Sequence, residues 1–193
     1  MAEHRLTFPA SEEDIRKLHA GDLVTVDGHI LGIRDRTQIR IFDEGVEPPM
    51  DLRGAFLLHT APGVKKVGDK YEPVCIGTTT SARMVRFTEP LGRDYGVRAI
   101  CGKGGFPDEA IEPMRQHGMV YFAIVGGAAA LETTQIEEIE EVVWEELMPE
   151  CLWKFRVKDF GPLWVGIDSH GNSMYRDVQS EATKRLEEIV AGL

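Results

Sequence analysis

The stretch Gly77-Thr78-Thr79-Thr80-Ser81-Ala82-Arg83, here the threonine loop, carries a run of hydroxyls that ends in a guanidinium. A second stretch, Gly102-Lys103-Gly104-Gly105, here the lysine loop, places an ammonium between glycines. Glycine lets a backbone approach a ligand closely, and helix N-termini present free N–H groups to anions. Two such loops with two cations therefore suit a small molecule that carries two carboxylates.

The sequence around these loops alternates between strand and helix patterns. Strands are predicted over 73–76, 97–101 and 119–125, with helices over 80–87 and 107–117. This alternation predicts a parallel sheet with right-handed crossovers, a βαβαβ arrangement. The loops that follow the three strands would then emerge at the carboxyl edge of the sheet, where open α/β folds bind ligands. We therefore expect Thr79, Arg83 and Lys103 to converge despite their separation in sequence.

The flanking regions predict further elements. They are a short helix after Ser11, a hairpin of 23–26 and 29–33 around Asp27-Gly28, a helix from Arg34-Asp35 to Phe42, a buried strand over 55–59, a polar turn over 65–71, strands over 152–157 and 163–167, and a terminal helix over 181–190. The expected fold class is α/β. One domain over residues 1–193 would combine the parallel portion with additional mixed strands.

Composition narrows the range of partners. The net charge of −10 argues against nucleic acid or an anionic membrane, which bind through an excess of Lys and Arg. No stretch approaches the roughly eighteen consecutive apolar residues that a membrane span needs. Basic residues outnumber acidic ones between 33 and 105. That local excess indicates either attraction of small anions or a chance placement of surface charge.

The cysteines and histidines show no metal-ligand spacing. Cys75, Cys101 and Cys151 lie far apart in the sequence, and the six histidines are scattered. This pattern predicts no zinc or iron–sulfur site within the chain. An odd, sparse set of cysteines without a signal peptide is typical of reduced thiols, so we expect a cytoplasmic protein.

Several candidate residues also have an ordinary structural interpretation. Thr80 or Ser81 can cap a helix, but one cap needs only one hydroxyl, so the surplus favours a ligand-facing role for another. Arg83 opposes the preference of a helix start for acidic groups, unless an anion binds there or the side chain reaches solvent. Lys103 is either an exposed surface lysine or a ligand. Arg34 could join the same cluster or pair with Asp35 at the surface.

The loop sequences also resemble a known family. Gly77-x-Thr79-Thr80-x-x-Arg83-Met84 followed by Gly102-Lys103-Gly104-Gly105 is similar to the pattern of class I iron–sulfur hydro-lyases. In particular, it resembles the β subunit, or C-terminal domain, of class I fumarases and L-tartrate dehydratases. Further family-like stretches are Arg34-Asp35, Gly126-Gly127-Ala128-Ala129-Ala130, Met148-Pro149-Glu150-x-Leu152-Trp153 and Asp168-x-x-Gly171-Asn172.

The resemblance implies a swivelling β/β/α domain, a dicarboxylate substrate and a hetero-oligomer. The partner α subunit would hold a [4Fe–4S] cluster through its own cysteines, and the open iron of that cluster would act as Lewis acid toward the substrate hydroxyl. The resemblance also implies roles for particular residues: Thr79 as base or relay and Lys103 as a second catalytic group, with Arg34, Thr79, Thr80, Arg83, Lys103 and Gly104 binding substrate. A threonine hydroxyl is a weak base, so an acidic group, expected on the partner, would have to activate it.

Two positions depart from the family pattern. Thr78 stands where the family often has proline, and Gln38 stands where it often has histidine. We expect fumarate hydratase first, the interconversion of fumarate and (S)-malate. L-tartrate dehydratase, and a non-catalytic dicarboxylate-binding module that uses the same loops, are the alternatives. A third interpretation is purely structural, with both loops only capping helices.

Overall fold

The computed structural model describes residues 1–192, which form strands and helices in nearly equal measure. The strands are β1 (Glu3–Phe8), β2 (Leu23–Ile33), β3 (Phe56–His59), β4 (Gly63–Val67), β5 (Lys70–Cys75), β6 (Ala99–Gly102), β7 (Val120–Ala123), β8 (Ile136–Val143) and β9 (Leu152–Ile167). The α-helices are α1 (Glu12–Ile15), α2 (Asp35–Phe42), α3 (Thr88–Tyr95), α4 (Ile111–His117) and α5 (Met174–Ala191). Short 3₁₀ segments cover Ser81–Phe87, Asp108–Ala110, Gly127–Gln135 and Glu145–Leu147. Among the described helices, none combines the length and the apolar character that a membrane crossing requires.

Seven strands form one sheet in the order β1-β2-β3-β6-β7-β9-β8, and a further pairing joins β2 to β9. Five of these strands therefore close into a ring, in the order β2, β3, β6, β7 and β9. Within that ring β2, β3, β6 and β7 run parallel to one another, whereas β9 is antiparallel to its neighbours. The expected α/β class with mixed strands is confirmed.

Alternation along the parallel strands separates two apolar clusters. On β3, Phe56 and Leu58 belong to the cluster enclosed by the ring, while Leu57 between them faces the helices. The outer cluster includes Ile41 of α2 and Leu91 of α3. Because successive strand residues point to opposite faces, this period-2 pattern commits both faces of β3 to a core.

The predicted hairpin over 23–33 is wrong. The segment is one continuous strand, with β1 paired on one side and β9 on the other. Gly28 has φ +96°, and a side chain there would place its Cβ 2.4 Å from the carbonyl oxygen of Phe8. The Asp-Gly pair therefore makes an irregularity in register between Val26 and Gly28 rather than a turn.

The predicted strand over 73–76 and the polar turn over 65–71 also need correction. Both fall on a separate two-stranded sheet, a hairpin of β4 and β5. The turn itself is narrower and contains Gly68 at φ +62°. Strand β5 is at most half-buried along its length, whereas β3 is fully buried, and β3 is the strand that pairs in parallel with β6.

Other elements match the expectations or extend them. Ser11 caps α1, and Gly118 ends α4 in the left-handed conformation. The expected helix over 80–87 consists of 3₁₀ turns that lead into α3. The two strands expected around Gly161-Pro162 are one strand, β9, and α5 begins at Met174 rather than at 181. Strand β1 was not predicted, because its half-exposed residues carry little apolar signal.

Candidate active site at the carboxyl edge

The threonine loop lies between the ends of two neighbouring parallel strands. The N–H of Thr79 donates to the carbonyl of His59 at the end of β3, at 2.9 Å. The carbonyl of Thr79 in turn accepts from the N–H of Lys103, just beyond β6, at 3.1 Å. The loop therefore reaches the carboxyl edge as an extra extended segment wedged between β3 and β6. Convergence with the lysine loop was expected, but not by this route.

Two glycines make this close approach possible. Gly77 has φ +61°, and a Cβ there would lie 2.2 Å from the carbonyl oxygen of Ala61. A Cβ on Gly102 would lie 2.0 Å from Oγ of Ser81 and 3.1 Å from the carbonyl oxygen of Thr79. A larger residue at 77 would push the threonine loop away from the segment after β3, and one at 102 would push the two loops apart, since contacts this short do not occur between unstrained atoms.

The three threonines have different environments. Thr78 is buried, and its Oγ1 donates to the carbonyl of Val125 at 3.1 Å. Thr79 is also buried, and its Oγ1 accepts from Nη2 of Arg83 at 3.2 Å. Thr80 stands at the N-cap position of the 3₁₀ segment, but its side chain makes no capping bond. The surplus of hydroxyls is therefore not used up by helix capping.

The two arginines share one carboxylate. Asp35 Oδ2 lies 3.4 Å from Nη2 of Arg83 and 3.3 Å from Nε of Arg34. Arg34 also lies 3.6 Å from a carboxylate oxygen of Glu150. Both interpretations offered for Arg34 therefore hold at once, because the Asp35 that pairs with it also joins it to Arg83 and, through Arg83, to Thr79.

Glu150 is a member of this cluster that the sequence reasoning did not identify. Its carboxylate accepts from the N–H of Arg36 in the first turn of α2, at 2.8 Å, and its carbonyl accepts from the hydroxyl of Thr37. An acidic group at a helix N-terminus stabilises the helix. The available signal was the family-like stretch 148–153, which contains Glu150.

The lysine loop presents its ammonium without the carboxylate partner that the two arginines have. Lys103 is half-buried, and within residues 1–192 its Nζ makes no ion pair or hydrogen bond. The side chain runs past Gly126, where an added Cβ would lie 3.8 Å from Cδ. Gly104 has φ +79°, and its carbonyl accepts from the hydroxyls of Tyr121 at 3.0 Å and Tyr175 at 3.3 Å. The lysine backbone is thus fixed, while its charge has no counter-ion in the described chain.

Two buried polar side chains, His59 and Gln38, lie beneath the cluster of Arg34, Arg83 and Asp35. His59 is inaccessible, its Nδ1 is 2.9 Å from Oγ of Ser81, and burial lowers its pKa to about 3. The charge of Asp35 raises this pKa and that of Arg83 lowers it, both less than burial does. Gln38, at the position where the resemblance implied a histidine, is also buried and donates from Nε2 to Sδ of Met84 at 3.0 Å. The sequence indicated only that His59 would end the predicted strand over 55–59.

The cysteines do not converge on a cluster site. Cys101 and Cys151 are buried and Cys75 is half-buried, and all three are free thiols. In the part of the chain that the structure describes, no group of three or more His, Cys, Asp or Glu residues could hold a metal ion. These residues do not fit a [4Fe–4S] cluster, which needs several thiolates directed at one point.

The fold and the site together define an α/β domain with a cationic, hydroxyl-lined edge suited to a small anion. The family model described as fumarase C-terminus matches residues 2–178. The chain belongs to this fumarase C-terminus family, and the resemblance noted from its loops is confirmed.

Individual relatives extend the match to nearly the whole chain. The L(+)-tartrate dehydratase subunit beta of Escherichia coli K12 is 39% identical over 186 residues, which cover 96% of this chain and 92% of the relative. A Methanocaldococcus jannaschii protein, provisionally named as the same subunit, is 37% identical over 185 residues, which cover 93% of this chain and 95% of the relative. A Geobacillus stearothermophilus protein, provisionally named fumarate hydratase class I, is 35% identical, but the match covers only 36% of it.

Proposed function

We propose that this chain is the β subunit of a class I hydro-lyase that acts on a four-carbon dicarboxylate. Residues 1–193 would form one domain of that enzyme, and its α subunit would complete the active site. The observation that carries the proposal is the convergence of the threonine loop, the lysine loop and the Arg34–Asp35 segment at one sheet edge. Family membership supports the reaction class.

In this proposal the chain's own residues bind and orient the substrate. Arg83 and Arg34 supply guanidinium donors to one carboxylate, each already oriented by Asp35. Lys103, which has no ion-pair partner among residues 1–192, supplies a positive charge at the neighbouring loop. Removal of a proton next to a carboxylate leaves negative charge on that group, and a preorganised cation stabilises this charge as it develops.

Thr79 is the proposed proton-transfer group. Its Oγ1 accepts from Arg83, so the lone pairs are partly engaged while its proton is free to move. Nothing among the described residues places a carboxylate on this hydroxyl, so the activating acidic group is proposed to come from the α subunit. A [4Fe–4S] cluster, also proposed on the α subunit, would supply the Lewis acid for the hydroxyl that leaves or adds.

Two substrates follow from the comparisons. The relatives that this chain matches nearly from end to end carry the name of tartrate dehydratase β subunits, which supports L(+)-tartrate as the first substrate to test. The family description and the Geobacillus relative support fumarate as the second, although the resemblance had led us to expect it first.

The test is anaerobic co-production of the full chain with the class I α subunit of the same genome. Loss of L(+)-tartrate and interconversion of fumarate and malate are then measured on the purified complex. We expect dehydration or hydration of one of these acids, and a fall of about 10²–10⁴ in kcat for Thr79→Val, which keeps the shape and removes the hydroxyl.

Thr183→Val on the exposed face of α5 is the matched control and should keep full activity. A complex of defined stoichiometry with a loaded cluster that turns over neither acid would reject the proposal. If the chain alone then bound either acid tightly by calorimetry, the non-catalytic dicarboxylate-binding alternative would replace it.

A further inference from the structure

His59 contacts the threonine loop on both sides of Thr80. Its carbonyl accepts from the N–H of Thr79 at 2.9 Å, and its Nδ1 lies 2.9 Å from Oγ of Ser81. The backbone bond would be available to any residue at position 59. The bond to Ser81 depends on the imidazole, so the identity of the side chain matters only there.

Ser81 connects this histidine to the lysine loop. Its N–H donates to the carbonyl of Lys103 at 3.3 Å. The neighbouring Ser81 hydroxyl also opposes the rise that burial imposes on the pKa of Tyr121. The Tyr121 hydroxyl in turn donates to the carbonyl of Gly102 at 2.8 Å. Hydrogen bonds from the buried residues His59, Ser81 and Tyr121 therefore support both loops of the proposed site from beneath.

The imidazole is a costly choice for a purely structural position. Its Nε2 is buried without a hydrogen-bond partner among residues 1–192, as is Oε1 of Gln38. A buried polar atom without a partner costs free energy that an apolar side chain of similar size would avoid. Local departures of this kind concentrate at functional sites. The low pKa keeps the ring uncharged at neutral pH, which makes it a poor proton acceptor but a stable support.

We propose that His59 is a positioning residue that holds Thr79 against Arg83 through the hydrogen bond between its Nδ1 and Ser81. The role rests on the function proposed above, because it matters only if the threonine loop contacts substrate. Without this bond, the segment 79–81 would lose the side-chain contact that sets the start of the 3₁₀ segment carrying Arg83, and the backbone hydrogen bonds of Thr79 and Ser81 would open more often.

Three variants distinguish the contributions of the two ring nitrogens of His59. His59→Asn offers an amide near the position of Nδ1, His59→Gln offers one near Nε2, and His59→Phe offers neither. Amide hydrogen exchange on the full chain reports the loop without requiring activity. We expect exchange at Thr79 and Ser81 to accelerate at least tenfold in the Phe and Gln variants, with wild-type rates in the Asn variant and at the β7 amides of all three.

Kinetics of the reconstituted complex provide the second readout. We expect kcat to fall at least tenfold in His59→Phe while KM changes less than threefold, with recovery in His59→Asn. Rescue by Gln instead of Asn would overturn the proposal, because Nε2 would then be the working atom. Wild-type exchange at Thr79 and Ser81 in His59→Phe would overturn it as well.

Ser81→Ala guards against a His59 variant that does not fold, since it breaks the same bond from the other partner. It should reproduce the exchange pattern of His59→Phe, and the double variant should add nothing further. Additive effects would mean that the two residues act independently and would overturn the proposal. Altered exchange in a complex without hydro-lyase activity would leave the positional role standing while rejecting the proposed function.

Discussion

The threonine loop and the lysine loop lie side by side at one sheet edge, yet they hold their functional groups in opposite ways. In the threonine loop, Thr79 is bonded through its N–H, its carbonyl and its hydroxyl, and Arg83 is tied to both Thr79 and Asp35. In the lysine loop the backbone is fixed equally well, but the ammonium of Lys103 has no partner in the described chain.

The threonine loop therefore offers an oriented hydrogen-bond donor, whereas the lysine loop offers a positive charge. The guanidinium of Arg83 is oriented, but Asp35 offsets part of its charge, so it contributes mainly a directed donor. Lys103 is less constrained, and its full charge is available to an anion that enters from outside. Under the proposed function, the arginines would recognise the geometry of one carboxylate, and the lysine would respond to negative charge.

The largest expected effect comes from removing the charge of Lys103, which has no counter-ion in the described chain. Lys103→Met keeps much of the side-chain length, and we expect kcat/KM of the reconstituted enzyme to fall about 10²–10³-fold, the usual cost of deleting one charge-stabilising donor. Lys65→Met, on the exposed hairpin strand β4, is the matched control and should leave activity unchanged. A Lys103→Met enzyme within threefold of wild type would mean that the lysine loop serves only as backbone.

A second test uses the pH dependence of stability to probe the support beneath the threonine loop. The pKa of His59 is about 3 in the folded chain against an ordinary value of 6.5. Between those values the unfolded chain binds a proton that the folded chain excludes, so folding stability falls as the pH is lowered. The loss from this residue is at most about 1.4 kcal/mol per pH unit, or about 2 kcal/mol between pH 6 and pH 4.5.

His59→Asn lacks this titration, while every other ionisable group is retained. Urea unfolding at several pH values should therefore give a shallower dependence for the variant than for wild type over that range. Parallel curves for the two proteins would show that His59 takes up its proton in the folded state, and that the threonine loop is less firmly closed over it than the structure indicates.

The smallest expected effect compares two arginines of the same 3₁₀ segment. Arg83→Lys replaces a planar donor that contacts both Thr79 and Asp35 with a point charge, and we expect KM to rise about tenfold with little change in stability. Arg86 pairs with Asp43 at the solvent-exposed side, and Arg86→Lys should change KM less than twofold. Equal effects at both positions would erase the distinction between the oriented guanidinium and an ordinary surface ion pair.

Much of the site could be predicted from local sequence because its chemistry is concentrated in short motifs. Thr79, Arg83 and Lys103 stand out through their hydroxyl, cationic and glycine neighbours, and those patterns need no knowledge of distant residues. Their roles as substrate-binding and catalytic groups remain predictions. The helix α2 and the buried strand β3 were also predictable, since helical periodicity and a continuous apolar run are local signals.

The sequence-based predictions were wrong where the structure of a segment depends on which strands pair with it. Asp27-Gly28 has the local signature of a hairpin turn, but β1 and β9 pair on both sides of it and keep the strand extended. Residues 73–76 look like a core strand, yet β5 pairs only with β4, outside the main sheet. Strand identity is local, whereas the choice of neighbour depends on contacts between residues far apart in the chain.

Residue types at short spacing are sufficient to indicate which groups this protein offers to a ligand, its α/β class and its family. The way in which those groups are held depends instead on the folded chain. Three features depend on through-space distances: the sharing of Asp35 by two arginines, the buried contact of His59 with Ser81, and the position of the Lys103 ammonium away from the carboxylates of the described chain. Segments far apart in the chain reach those distances only when the ring of strands closes.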